Sequence, residues 1–169
     1  MEGVAPDPAL GLLELYDEAL PHVYGYLLAR CRDRNLAEDL AAETFLAAVT
    51  AARRPDTPEP SVRWLIGVAR HKLADHWRRL EREDRGLRLL DGAERVEDPW
   101  DEAIDAIRAR ATLDALGPHH RAALTLRYLD GLPVPEVADC LGRTVHATEA
   151  LLVRARTAFR RCYREEGSP

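Results

Sequence analysis

Asp39 and Glu43 stand four residues apart in NLAEDLAAETF, residues 35–45, with Leu46 on the same side of a helical wheel. Like charges at that spacing repel mildly on a helix. A leucine-edged acidic patch therefore points to a basic partner surface, or else to a merely solvated face. A second group lies in SVRWLIGVARHKLADHWRRLERE, residues 61–83. Trp64, His71, Arg78 and Arg82, flanked by Val68 and Arg79, fall opposite an apolar stripe of Val62, Leu65, Ile66, Ala69, Leu73, Trp77 and Leu80. Aromatic rings among cations suit single-stranded nucleic acid, with bases stacking on the ring and cations following the phosphates. Packing of Trp64 back onto the preceding Pro-rich loop is the alternative.

The third group is GRTVHATEALLVRAR, residues 142–156. Val137, Ala138 and Leu141 before the turn, and Thr148, Leu152, Ala155 and Phe159 after it, give two helices inner faces around a glycine. Thr144 is a suitable N-cap. This is helix-turn-helix spacing, in which the start of the second helix meets base edges; an ordinary helical hairpin would share it. Arg154, Arg156, Arg160 and Arg161 come late, where cations suit phosphate contact, and Arg143 stands in the turn. His146, Thr148 and Glu149 occupy the reading end. Two roles are open to Glu149: accepting from a cytosine amino group, or complementing the positive end of its helix.

The elements that would position these residues are all helical. Ala, Leu, Arg and Glu dominate, and no alternating β-branched run occurs. Helices are predicted over 8–32 (kinked or restarted at Pro21), from an Asn35 cap to about 52, and from a Ser61 cap to about 82. Residues 53–61, RRPDTPEPS, form a loop. RGLRLLDGAERVEDP, ending at Pro99, reads as an acidic tether. Further helices are expected over 99–116, 118–130, 135–141 and 144–164. The expected fold class is all-α: two small helical domains, 8–84 and 99–165, joined by a flexible linker at 85–98.

The 169 residues carry a net charge of −5, unevenly spread. Residues 1–52 hold three arginines against nine acids; 63–88 hold eight cations against four acids. Residues 89–114 return to three against eight, and 115–169 to eight against six. Such blocks imply surfaces with different partners. The absence of a long apolar run argues against membrane insertion, and the N-terminus lacks the form of a signal peptide. Cys31, Cys140 and Cys162 lie far apart in apolar helical patterns, which fits core thiols in a reducing cytoplasm. His71, Asp75 and His76 scatter around their helix, so no metal site is expected. No nucleophile–base pair or Gly-rich phosphate loop points to an enzyme, a small-molecule substrate or a cofactor.

Taken together the blocks resemble the extracytoplasmic-function (ECF) class of bacterial sigma factors. LYDEALPHVYGYLLARCRDRNLAEDLAAETF is similar to the family's region two, and WLIGVARHKLADHWRR to its WL…IAR…DH-x-RR helix. LDALGPHHRAALTLRYLDGLPVPEVADCLG…LLVRAR is similar to region four. The resemblance runs from about Leu12 to Arg161, in family order. It implies a sigma factor that binds core RNA polymerase and directs promoter-specific initiation. Asp39, Leu40, Glu43 and Leu46 would meet core polymerase. Arg63, Trp64, Arg70, His71, Lys72, Arg78, Arg79 and Arg82, with the Pro-rich loop, would open and read the minus-ten element. Arg143, Thr144, His146, Thr148, Glu149, Arg154 and Arg156 would engage the minus-thirty-five element. Partners would be core polymerase, promoter DNA and an anti-sigma protein in trans, since no C-terminal sensory domain is expected.

The sequence departs from the family at Ala42, where Gln is common, and at His71, where Asn is frequent. Glu149 and Leu151 replace a usual basic pair. Two other readings compete: a sigma-like interaction module that binds polymerase or a partner without reading DNA, and a stand-alone helix-turn-helix regulator.

Overall fold

A computed structural model describes residue 7 and residues 9–85 and 106–165. Seven α-helices and no strand occur among them: α1 Ala9–Cys31, α2 Arg34–Ala52, α3 Val62–Arg85, α4 Ala106–Ala115, α5 Pro118–Leu124, α6 Val134–Leu141 and α7 Val145–Glu165. A π-helical turn, Thr125–Leu129, follows α5 directly. The expected tether and the start of the helix after Asp98 lie outside the described residues. The chain divides into two compact units, Met1–Leu73 and Ala74–Pro169, with the boundary inside α3.

The first unit packs α1 against α2. Leu12, Ala19, Val23 and Leu27 of α1 are buried, as are Ala37, Leu40, Ala41, Thr44 and Ala48 of α2 and Leu65, Ala69 and Leu73 of α3. Leu36 and Ala47 are only half-buried; the inward stripe of α2 is set mostly by small residues that let helices approach. Thr44 enters this core because its hydroxyl donates to the Leu40 carbonyl, 2.7 Å away, leaving no unpaired polar group. Pro21 sits inside α1 without starting a second helix. A proline there removes one N–H, and the buried residues on both sides, Ala19 and Val23, hold the helix across the gap.

The cap of α2 differs from the sequence expectation. Asp33, in extended conformation, accepts from the Leu36 N–H at 3.1 Å, so it and not Asn35 begins the helix. Losing such a cap costs about 0.5–2 kcal/mol. Asp33→Ala is therefore expected to lower the thermal midpoint by several degrees, whereas Asn35→Ala leaves it nearly unchanged. Circular dichroism melts of the two variants check the assignment; equal midpoints would refute it.

In the second unit α7 packs against α4, α5 and α6. Leu113, Leu116, Leu124, Ala155 and Phe159 form a core cluster, bordered by Ala109, Ala158, Cys162 and Tyr163. The helix expected over 118–130 changes character at Thr125, where the Asp130 N–H reaches back five residues to the Thr125 carbonyl at 3.0 Å. The wider turn leaves Tyr128 and Leu129 on the surface. Gly131, at φ +67°, then ends the segment.

Candidate nucleic-acid and protein interfaces

The turn before α7 is built by its own backbone. Gly142 adopts φ +59°, a left-handed conformation that costs glycine little. Its N–H donates to the Asp139 carbonyl at 3.1 Å, and the Arg143 N–H to the Ala138 carbonyl at 2.9 Å, which satisfies the last carbonyls of α6. Thr144 caps α7: its Oγ1 accepts from the Ala147 N–H at 3.1 Å.

That cap decides which residues can face outward. Thr148, expected at the reading end, is 0 % exposed and its hydroxyl donates to the Thr144 carbonyl at 2.9 Å. It belongs to the core, and its polar atom is already spent within the helix. Leu151, at 1 % exposure, is sealed beside Leu152. The exposed positions at the start of α7 are Val145, His146, Glu149 and Ala150, followed by Arg154. Val145 and Ala150 escaped the sequence reading because apolar residues on an amphipathic helix look like core; Ala150 falls away from the sealed stripe on the wheel, whereas Val145, at i, i+3 to Thr148 and i, i+7 to Leu152, is placed on it by spacing. Arg156 is half-buried and donates from Nη1 to the Tyr128 hydroxyl at 3.1 Å. The π-turn thus supplies a tether for a late cation. Arg143 is half-buried, and burial lowers its pKa from the usual value, yet a guanidinium remains charged.

On α2, Asp39 and Leu46 are exposed, Leu46 strongly at 69 %, and Glu43 is half-buried. Leu40 is 1 % exposed. Leu40, expected among the contact residues, is therefore a core residue: it stands about 100° round the helix from Asp39, on the side that packs inward. Ala42 is exposed in an open groove between α1 and α2, lined also by Tyr16, Leu20, Tyr24 and Phe45. The Tyr16 and Phe45 rings meet there at 4.8 Å.

The loop at 53–61 is held at one end by the Thr57 hydroxyl, which donates to the Ala51 carbonyl at 2.6 Å. At the other, Ser61 Oγ accepts from the Trp64 N–H at 3.2 Å, the cap expected for α3. Arg63, His71, Arg79 and Arg82 are exposed; Trp64, Arg70, Lys72 and Arg78 are half-buried. Nδ1 of His71 lies 2.9 Å from the Gly67 carbonyl. Arg78 pairs with Asp75 one turn earlier, so its charge is partly matched within the helix. Among the described residues no group of three His, Cys, Asp or Glu could hold a metal, and no helix is long and apolar enough to cross a membrane.

A helix-turn-helix, an acidic surface on α2 and a cationic surface on α3 are the pattern of an all-helical protein that binds DNA and a protein partner, the class of transcription factors. The family profile "Sigma-70 region 2" matches residues 15–83, and "Sigma-70, region 4" matches 107–159. The ECF sigma factor BldN of Streptomyces coelicolor is 36% identical over 83% of this chain, which spans 56% of BldN's length. SigC of Mycobacterium tuberculosis is 32% identical, with 87% of this chain and 80% of SigC covered. The sigma factor RpoE of Bartonella quintana, solved with the anti-sigma factor NepR, shares the fold at TM-score 0.54 and 19% identity, covering 90% of this chain and 95% of RpoE. The chain belongs to the ECF class of RNA polymerase sigma factors, which direct polymerase to promoters.

Proposed function

We propose that this chain divides its work as residues 8–84 for core polymerase and the minus-ten element, 85–98 as linker, and 99–165 for the minus-thirty-five element. One observation carries the assignment: α2 presents acidic and apolar side chains, with Asp39 and Leu46 exposed and Glu43 half-buried, while α3 presents cations, with Arg63, Arg79 and Arg82 exposed. Opposite charges on separate faces let one chain hold a basic protein and an anionic duplex without competition.

In this reading Asp39, Glu43 and Leu46 dock on core polymerase. Trp64 offers its ring to an unpaired base while Arg63, Arg70, Lys72, Arg78, Arg79 and Arg82 follow the strand, with His71 beside them. His146 and Glu149 face base edges upstream. Arg143, Arg154 and Arg156, with the Thr144 cap, hold phosphates and orientation. Core polymerase supplies much of the DNA affinity, which reconciles the acidic net charge with promoter binding. The chain works in the cytoplasm, performs no catalytic step, and is sequestered by an anti-sigma protein in trans.

The absence of an exposed cation on α7 before Arg154 favours one competing reading, a polymerase-binding module that does not read DNA. Run-off transcription with purified core polymerase separates the two. Transcripts starting at defined sites are expected; core binding without defined starts would sink the promoter-reading assignment.

A further inference from the structure

Glu149 lies in the second turn of α7, exposed, and among the described residues no hydrogen bond or ion pair engages it. Its helical neighbours at three and four residues are Val145, His146, Leu152 and Val153, so neither Lys nor Arg is available at ion-pair spacing. The positive end of α7 is served elsewhere: Thr144 receives the Ala147 N–H on its side chain and the Thr148 N–H on its carbonyl. Dipole stabilisation falls off within the first turn, and Glu149 stands beyond it. Among the described residues the carboxylate is thus left as an acceptor without a donor.

We propose that Glu149 is a specificity-determining residue that selects cytosine in the upstream promoter element, an inference that rests on the promoter-reading assignment above. A carboxylate only accepts hydrogen bonds. It is repelled by phosphate and by guanine, whose major-groove edge shows the acceptors O6 and N7. Adenine sets its N6 amino donor beside the N7 acceptor. Cytosine offers its N4 amino donor with no acceptor next to it on the same edge. Val145 and Ala150, exposed on either side of Glu149, add apolar surface that tolerates a pyrimidine C5 edge.

The test is a selection with holoenzyme reconstituted from the full chain, initiating on promoters with a randomised upstream element. Wild type is expected to enrich cytosine over guanine at one position by about tenfold. Glu149→Lys should reverse that position to guanine, and Glu149→Ala should erase the preference there while leaving other positions unchanged. Defined start sites with no cytosine-selected position, or the same preference in the Lys and Ala variants as in wild type, would overturn the inference and leave the sigma assignment standing. A complete lack of defined starts would remove both.

Discussion

Asp39→Arg is expected to weaken association with core RNA polymerase by at least about thirtyfold and to leave helicity and thermal midpoint unchanged. Asp39 is exposed, so the substitution opens no cavity and strands no buried partner. The loss arises at the interface, where exchanging a paired carboxylate for a guanidinium replaces attraction by like-charge repulsion, worth about 2–5 kcal/mol. Glu43→Lys on the same face should act in the same direction. Affinity measured by fluorescence polarisation, alongside a circular dichroism melt, separates a lost contact from a lost fold. Normal affinity in Asp39→Arg would move core binding away from α2.

The second large effect concerns Leu151, where the resemblance to the family leads one to expect a basic residue. Leu151→Arg should unfold the second unit. At 1 % exposure beside Leu152 and Ala155, an unpaired guanidinium cannot reach water, and burying such a charge costs several kcal/mol. A unit of this size has about 5–14 kcal/mol in total, at roughly 0.05–0.15 kcal/mol per residue. Even Leu151→Ala should cost about 2–5 kcal/mol. Glu149→Lys, two residues away and exposed, should fold normally. Denaturant titration of the two charge variants reads the difference; a stable Leu151→Arg would mean α7 is seated differently.

The sequence carried most of this through spacing and caps. Ser61, Thr144 and Gly142 each act where their chemistry says they should, because caps and left-handed turns are local decisions. What spacing could not settle was rotation and competition. Asp33 and Asn35 are equally good caps on paper, and the winner depends on how the chain leaves Arg32, which turns at φ +57°. Thr148 looked like a polar contact until its hydroxyl was found bonded one turn back. Leu40 sits next to Asp39 in sequence, but the roughly 100° turn between them takes it from the exposed face into the core. The π-turn at Thr125–Leu129 left no trace, since one extra residue per turn leaves composition unaltered. The residues implicated in the minus-ten and core-binding tasks could be named, yet their roles came from resemblance to the sigma family rather than from residue chemistry alone.

The alternation of sealed and open positions on α7 bears on how such proteins diverge. Thr148, Leu151, Leu152 and Ala155 are fixed by packing, whereas His146, Glu149 and Ala150 are held by no core contact. Substitutions at the open positions can therefore change promoter choice at little cost in stability. On the proposed assignment, a carboxylate among them would also act by exclusion, since it opposes the guanine edge that a basic residue would seek. In a cell with several sigma factors, that single repulsive group would keep this chain off promoters belonging to its relatives, and so insulate one regulatory circuit from another.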